Sequence, residues 1–296
     1  MDEREWLADR FEEHRPRLRS VAYRMLGSLA EADDALQDTW LRVSKADTGE
    51  VENLGGWLTT VVARVSLNML RSRSRRREEF IGEHLPDPVV SAADGDLQPE
   101  EEALLADSVG LALLVVLDTL SPAERLAFVL HDMFELPFDE IGPMVGRSPV
   151  AARQLASRAR RRVRGAEVPT PDPDVGRQRR VVDAFYQAAR GGDFDGLVNL
   201  LDPEVVLRAD YGSRRPTEII RGAAAVAQNA RAIPGAVIHP ALVNGAAGAV
   251  ITVRDRPIAV MGFTVVDDRI VAIDAIADPK RVARIAASVL AEASSQ

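Results

Sequence analysis

The segment that begins at Phe138 has residue types that favour two helices joined by a tight turn, and it ends in a run of arginines. The first helix is expected from Phe138 onward, and Gly146 suits the turn that follows it. Ser148 can accept hydrogen bonds from the first backbone N–H groups of a second helix, and Pro149 has no N–H to leave unpaired at its start. The pattern predicts a helix-turn-helix whose second helix begins at Pro149.

The second helix carries polar side chains of the kinds that bind DNA. In a helix-turn-helix, the first half of the second helix reads base edges in the major groove, whereas later arginines neutralise phosphates. A solvated basic helix end would explain the arginines alone, since cations stabilise a helix C-terminus, but it would not explain the cap and the turn. We therefore predict that Arg153, Gln154 and Ser157 contact bases and that Arg158, Arg161 and Arg162 contact the DNA backbone.

A second arginine cluster ends the first helical part of the chain, at Arg71, Arg73, Arg75, Arg76 and Arg77. The net charge of −8 over 296 residues would by itself argue against a nucleic-acid partner. The distribution of charge argues otherwise, because the acidic residues gather near the N-terminus and between residues 78 and 107. Two basic patches therefore lie on an acidic protein.

Hydrophobic periodicity predicts the elements that position these side chains. Apolar residues at helical spacing predict a bundle up to Arg77 and further helices from about Pro99 to Val163, separated by an acidic, proline-containing segment. After residue 204, short runs rich in Val and Ile alternate with turn signals such as Asn244-Gly245, which predicts strands. We expect two all-α domains at 1–79 and 101–165, an acidic linker at 80–100, a second linker at 166–176 and an α+β domain at 177–296.

Composition excludes several classes of chemistry. The chain has no cysteine and four histidines, which leaves no disulfide, thiolate nucleophile or cysteine-bound zinc, so we expect neither a metal nor a cofactor. Its first residues are acidic, and no apolar run approaches the roughly 20 residues that span a bilayer. We therefore expect a cytoplasmic protein without a membrane partner.

Two segments of the N-terminal part resemble the extracytoplasmic-function (group four) RNA polymerase sigma factors. Ala32-Asp33-Asp34-Ala35-Leu36-Gln37-Asp38-Thr39-Trp40-Leu41-Arg42 is similar to region 2.2 of that family, and the segment from Trp57 to Arg71 is similar to regions 2.3 and 2.4. The helix-turn-helix then corresponds to region 4. The resemblance implies a subunit that is not itself an enzyme and that directs core polymerase to promoters.

The same resemblance implies roles for particular residues. The first segment would dock on the β′ coiled coil of the polymerase, whose β subunit is a further partner, and the second would open and read the minus 10 element. Trp40 and Trp57 would serve partly as core aromatics, which is the commoner role of a tryptophan. The implied polymerase contacts are Asp33, Asp34, Gln37, Asp38 and Trp40. The implied minus 10 contacts are Trp57, Arg64, Asn68, Arg71, Arg73, Arg75 and Arg76.

The C-terminal part resembles the SnoaL-like domain, of the NTF2-like fold, that SigJ-like sigma factors carry. Three segments support the likeness, because each partly matches a signature sequence of that group: His84-Leu85-Pro86-Asp87-Pro88, Asp210-Tyr211-Gly212-Ser213 and Ala277-Asp278-Pro279-Lys280-Arg281. The resemblance implies modulation in cis, with the C-terminal domain packed on the two helical domains and these three segments close together. The implied regulatory residues are Leu85, Pro86, Asp87, Pro88, Asp210, Asp278 and Pro279.

Other functions stay open at this point. An independent helix-turn-helix regulator would bind a symmetric operator without polymerase. The C-terminal domain would then be a sensor of an unidentified small molecule or an enzyme. For an enzyme, Asp210 and His239 are the pair suited to acid-base chemistry, although an aspartate before Tyr211-Gly212 is more often a turn residue.

Overall fold

The computed structural model describes residues 3–46, 51–77, 84–93, 110–166, 168–212, 215–230 and 233–293. Most of the predicted acidic linker and the first residues of the predicted second helical domain lie outside these ranges. The described residues divide into two compact units. The N-terminal unit contains residues 3–77 and 113–168, and the C-terminal unit contains residues 84–93, 110–112 and 169–293.

The N-terminal unit begins with three helices, α1 (Glu3–Leu26), α2 (Leu29–Val43) and α3 (Leu54–Arg77). Each packs against the other two. The apolar stripe of α1 forms the centre of this bundle, where Leu18, Val21 and Met25 are fully buried. The predicted helical bundle is confirmed.

The second half of this unit contains α4 (Leu111–Asp118) from residue 113 onward, α5 (Pro122–Phe128), a π-helical turn (Val129–Met133), α6 (Phe138–Val145) and α7 (Pro149–Gly165). Ser121 and Glu124 cap α5 by exchanging side-chain and backbone hydrogen bonds. In the same unit α3 packs on α5 and α6, and α1 packs on the π-helical turn. The two helical parts therefore share one compact unit.

The C-terminal unit is built on one seven-stranded sheet in the order β1-β4-β5-β6-β7-β2-β3. The strands are β1 (Val90–Ala92), β2 (Leu201–Asp210), β3 (Glu218–Arg221), β4 (Ala236–Val243), β5 (Ala246–Val253), β6 (Arg256–Val266) and β7 (Arg269–Ile276). Strands β2 and β7 pair in parallel, and the other neighbours are antiparallel. The predicted turn at Asn244-Gly245 joins β4 to β5 with φ values of 50° and 77°, as a two-residue hairpin loop requires.

Helices complete this unit: α8 (Val175–Gly191), α9 (Phe194–Leu200), α10 (Ala223–Asn229), α11 (Pro279–Ile285) and α12 (Ala287–Ala293). The rings of Phe185, Tyr186 and Phe263 meet edge to face in the core, with centroids 5.5–5.7 Å apart. The predicted fold class, helical parts followed by an α+β domain, is confirmed. No helix in the described ranges is both long enough and apolar enough to cross a membrane.

Strand β1 differs from the sequence interpretation, which placed these residues in a linker. Val90 pairs with Val243 and Ala92 pairs with Ala241 of β4. Without β1, strand β4 would present unpaired backbone groups at the edge of the sheet. β1 and the described residues before it, 84–89, are thus part of the C-terminal unit.

Candidate nucleic-acid interface and linker clamp

The predicted helix-turn-helix is formed by α6 and α7. Gly146 ends α6 with a φ of 67°, and the hydroxyl of Ser148 accepts a hydrogen bond from the backbone N–H of Ala151 at 3.3 Å. A second glycine, Gly142 of α6, is needed where that helix packs against the turn, because a Cβ there would lie 2.8 Å from the carbonyl oxygen of Arg147. Cap and turn together fix the direction in which α7 leaves the turn.

The polar side chains assigned to DNA occupy the solvent side of α7. Three alanines, Ala152, Ala156 and Ala159, are fully buried on the opposite side. This arrangement follows from the helical period, which separates two faces of the same helix. The exposed residues are Arg153, Gln154, Ser157, Arg158, Arg161 and Arg162.

Two of the three predicted phosphate contacts already have an acidic partner. The carboxylate of Glu124 accepts from Nε of Arg158 at 3.1 Å and from a terminal nitrogen of Arg162 at 3.4 Å. Burial works to raise the pKa of Glu124, but the hydrogen bonds from Ser121 and Arg158 outweigh it and hold the pKa below its ordinary value. Arg161 has no ion-pair partner within the described part of the chain.

The residues predicted to meet the minus 10 element line one exposed side of α3, with one exception. Arg64, Asn68, Arg71 and Arg75 are exposed, and Trp57 is half-buried. Their spacing of three, four and seven residues places them along the same helix face. The side chain of Arg76 lies outside the described residues.

Arg73 is the exception on α3. Its guanidinium donates to the carbonyl of Leu26 at 3.0 Å, to the carboxylate of Glu31 at 3.0 Å and to the carboxylate of Asp118 at 2.8 Å. The same oxygen of Asp118 accepts from Arg125 at 2.9 Å. Arg73 therefore ties α3 to the end of α4, and our assignment of this residue to DNA has no support in its position.

Four of the five residues predicted to dock on polymerase, Asp33, Asp34, Gln37 and Trp40, line an open cavity of about 370 Å³ between α1 and α2, and Asp38 does not. Trp40 lies half-buried in its wall and packs against Phe11 with ring centroids 5.2 Å apart. Asp33 is paired with Arg19 at 2.8 Å, whereas the predicted contacts Asp34, Gln37 and Asp38 are exposed.

The three segments that partly match a signature sequence lie together in the C-terminal unit, around the fully buried carboxylate of Asp210. Asp210 accepts from the backbone N–H of Leu85 at 2.8 Å, from that of Gly212 at 2.8 Å and from Arg281 at 2.5 Å. Gly212 has a φ of 69°, and a Cβ there would clash with the carboxylate of Asp278.

Arg281 connects this carboxylate to the segment before β1. Its guanidinium also donates to the carboxylate of Asp87 at 2.6 Å and to the carbonyl of Leu85 at 2.5 Å. Arg284 binds the other oxygen of Asp87 at 2.6 Å. We call these five residues, Leu85, Asp87, Asp210, Arg281 and Arg284, the linker clamp.

The charges of the clamp stabilise each other. Burial alone would raise the pKa of Asp210, but the N–H of Gly212 and the charge of Arg281 hold it below its ordinary value of 3.8. Burial alone would lower the pKa of Arg281, but Asp87 and Asp210 raise it. Both side chains therefore stay charged at neutral pH.

Arg281 and Arg284 were not predicted as site residues by the sequence interpretation, which named Leu85, Asp87 and Asp210 of the clamp. Asp278 caps α11 with its side chain and Pro279 begins the helix. The sequence carried one signal for them: Arg281 and Arg284 are three residues apart after the cap, so they lie on one side of a short helix.

The two residues considered for acid-base catalysis have separate partners. Asp210 belongs to the clamp, where Nδ1 of His84 also lies 3.2 Å from its carboxylate. Nε2 of His239 lies 2.9 Å from the hydroxyl of Thr252. Among the described residues no group of acidic or histidine side chains is arranged to hold a metal ion.

Comparison with known proteins places two family models on the helical unit. Residues 10–76 match Sigma-70 region 2, and residues 110–163 match Sigma-70 region 4. The chain is 42% identical to the ECF RNA polymerase sigma factor SigJ of Mycobacterium tuberculosis over 215 residues, which are 72% of this chain and 68% of SigJ. It is 36% identical to the probable ECF sigma factor SigI of the same organism, over 67% of each chain.

The likeness extends to the fold of nearly the whole chain. The crystal structure of M. tuberculosis extracytoplasmic function sigma factor SigJ matches with a TM-score of 0.71 and 34% identity, over 93% of this chain and 97% of that one. An NTF-2 like protein from Burkholderia xenovorans LB400 covers 35% of this chain, with a TM-score of 0.28 and 16% identity.

Proposed function

The chain belongs to the extracytoplasmic-function RNA polymerase sigma factors and directs polymerase to promoters, and we propose that its two exposed helix faces read the two promoter elements. Region 2 (residues 1–79) would read the minus 10 element through α3, and region 4 (residues 101–165) the minus 35 element through α7. The observation that supports the assignment of α7 to DNA most strongly is its capped N-terminus together with the polar side that it exposes to solvent.

Each face offers the chemistry that its target requires. On α7, Arg153, Gln154 and Ser157 combine guanidinium, amide and hydroxyl groups that can pair with base edges. On α3, Arg71 and Arg75 follow Asn68 on the exposed side and can neutralise phosphates while Trp57 stacks on an unpaired base.

Docking on polymerase is assigned to the cavity between α1 and α2. Its rim carries the carboxylates of Asp33 and Asp34 beside the ring of Trp40. An amphipathic basic helix, such as the resemblance implies for the β′ coiled coil, can place apolar side chains against the ring and cations against the carboxylates.

Modulation in cis is assigned to the linker clamp. The clamp holds residues 84–92, which lie between regions 2 and 4 in the chain, within the C-terminal unit. The family resemblance implies that this linker enters polymerase channels in an active sigma factor. A linker held within the C-terminal unit is not available to do so. Opening the clamp would therefore change the activity of the sigma factor.

The function is tested by run-off transcription from a library of promoter fragments, with core polymerase alone, with this protein alone and with both. We expect promoter-specific transcripts only when both are present, because core polymerase needs a sigma factor to select promoters and the sigma factor needs polymerase to make RNA. Sequence-specific binding to a symmetric site in the absence of polymerase, with no transcript from any fragment, would instead identify an independent regulator.

Arg161→Ala is expected to weaken promoter binding at every sequence and to lower the slope of log affinity against log salt by about one. The guanidinium is exposed and makes no ion pair in the described part of the chain, so its loss removes one phosphate contact without disturbing packing. Binding of the polymerase complex to promoter DNA at several salt concentrations measures the slope. Arg190→Ala, which removes an exposed arginine of α8, should leave the slope unchanged.

A further inference from the structure

Arg153, the first of the proposed base-reading residues, lies against an aromatic ring of the preceding helix. Its guanidinium carbon is 5.4 Å from the ring centroid of Phe138. The ring of His131 packs on Phe138 with centroids 4.0 Å apart and planes inclined by 31°. Nδ1 of His131 lies 3.0 Å from the carbonyl oxygen of Leu136. We call Arg153, Phe138 and His131 the arginine column.

The column is held by packed backbone. His131 belongs to the π-helical turn, where the wider helix turn shifts side chains out of the regular α-helical register. Phe138 is the first residue of α6 and is buried, with 9% of its surface exposed. The segment between them closes with a hydrogen bond from the N–H of Leu136 to the carbonyl of Leu130 at 2.9 Å. The ring therefore has a fixed position relative to α7.

We propose that Phe138, supported by His131, is a positioning residue that orients Arg153 for a guanine edge in the minus 35 element. This inference rests on the proposed function of α7. A guanidinium recognises guanine N7 and O6 with two parallel hydrogen bonds, so its plane must be oriented as well as placed. An arginine that is already held by a ring loses less freedom on binding than one that moves freely in solvent.

The surroundings of the column explain why the ring matters. An open cavity of about 520 Å³ lies between α6 and α7, and its lining residues include Arg153 and the acidic residue Asp139. If the ring were absent, the guanidinium would have both space and a negatively charged group to turn towards. Phe138 thus keeps Arg153 on the side of α7 that faces DNA.

The test compares Phe138→Leu, Phe138→Tyr, Arg153→Ala and the double variant F138L/R153A in polymerase-dependent transcription. Templates carry each of the four bases at every position of the minus 35 element. Ile141→Val is the matched control, because it removes a buried methyl from the same helix and leaves the ring in place. Thermal unfolding of each variant shows that it is folded at the assay temperature.

We expect Arg153→Ala to reduce the preference for guanine at one position by at least about tenfold. Phe138→Leu should reduce the preference at that same position by about threefold to fivefold, whereas Phe138→Tyr should retain it. The double variant should show no lower preference than Arg153→Ala alone, because the ring acts through the guanidinium. A purely structural role of Phe138 would lower transcription from all templates equally, which is also the pattern expected of Ile141→Val.

Three results would overturn the positioning role: an unchanged base preference in Phe138→Leu, an equal loss on all templates, or an unchanged preference in Arg153→Ala. The first two leave the proposed function standing, since transcription still depends on the promoter. Failure of the proposed function is recognised separately, because the unmodified protein would then give no polymerase-dependent transcript from any template.

Discussion

Replacing Asp210 by alanine is expected to lower the free energy of unfolding of the C-terminal unit by about 3–5 kcal/mol. The carboxylate is fully buried, and its removal leaves the charge of Arg281 and the N–H groups of Leu85 and Gly212 without this acceptor. Arg281 keeps its ion pair with Asp87, so the cost arises because a buried guanidinium loses one of its two carboxylate partners and two backbone N–H groups lose their acceptor.

The loss of stability can be assigned to the C-terminal unit by comparing two spectroscopic signals of unfolding. The three tryptophans of the chain are Trp6, Trp40 and Trp57, which all belong to the N-terminal unit. Urea unfolding followed by circular dichroism reports both units, whereas tryptophan fluorescence reports the N-terminal one. We expect Asp210→Ala to shift the dichroism transition more than the fluorescence transition. Asp183→Ala, at an exposed position of α8, should change stability by less than about 0.5 kcal/mol.

The effect of Asp210→Ala should depend on pH in a defined direction. The pKa of Asp210 in the folded protein is held below its ordinary value of 3.8, so the unfolded chain takes up the proton first as pH falls. The stabilisation is then fully present above about pH 4 to 5 and is lost as pH falls through the folded pKa. The difference between wild type and variant should be constant at neutral pH and shrink in acid. A difference that grows in acid would contradict this assignment.

The same variant tests whether the clamp has a regulatory role. If the linker is restrained by the C-terminal unit, then Asp210→Ala and Arg281→Met should both change promoter-dependent transcription, and Asp183→Ala should not. Limited proteolysis within residues 84–92 shows whether the clamp has opened. Wild-type levels of transcript from a protein whose clamp has opened would argue against modulation in cis.

Local signals in the sequence were sufficient to predict the helix-turn-helix and most of the sheet. Ser148 and Pro149 act on the first turn of α7 itself, and Asn244-Gly245 forms a hairpin loop through its own backbone preferences. The buried stripe of α1 follows from the helical period. In each case the residues that determine the local structure are neighbours in the chain, so their types alone are enough to predict it.

Contacts between distant parts of the chain were not predicted, because periodicity does not identify partners. Arg281 meets Asp87 across 194 residues, and Arg73 meets Asp118 across 45. Strand β1 has three residues, too few for an alternating pattern to stand out from the surrounding linker. An arginine run likewise does not reveal which of its members turns inward, and this is why Arg73 was assigned to DNA.

Asp118→Ala is expected to lower the free energy of unfolding of the N-terminal unit by about 3–5 kcal/mol. One oxygen of Asp118 accepts from both Arg73 and Arg125. Arg125 is only 1% exposed, and its Nε donates to the carbonyl of Arg24 in α1 at 3.0 Å. The carboxylate thus joins α3 and α5 beside α1. Tryptophan fluorescence during urea unfolding measures the change, since all three tryptophans lie in α1, α2 and α3.

The arginines of α3 provide the control that separates stability from DNA binding. Arg73→Met should destabilise the N-terminal unit and couple to Asp118→Ala in a double-mutant cycle, because the two side chains share a hydrogen bond. Arg71→Met removes an exposed guanidinium from the same helix, so it should weaken promoter binding with a change in stability below about 0.5 kcal/mol. The opposite result, in which Arg73→Met affects binding alone and Arg71→Met affects stability, would show that the inward-facing arginine contacts DNA after all. If the expected result is obtained, α3 carries two classes of arginine: Arg73, which is paired with acidic side chains of the same unit, and exposed arginines such as Arg71 that are free to bind phosphate.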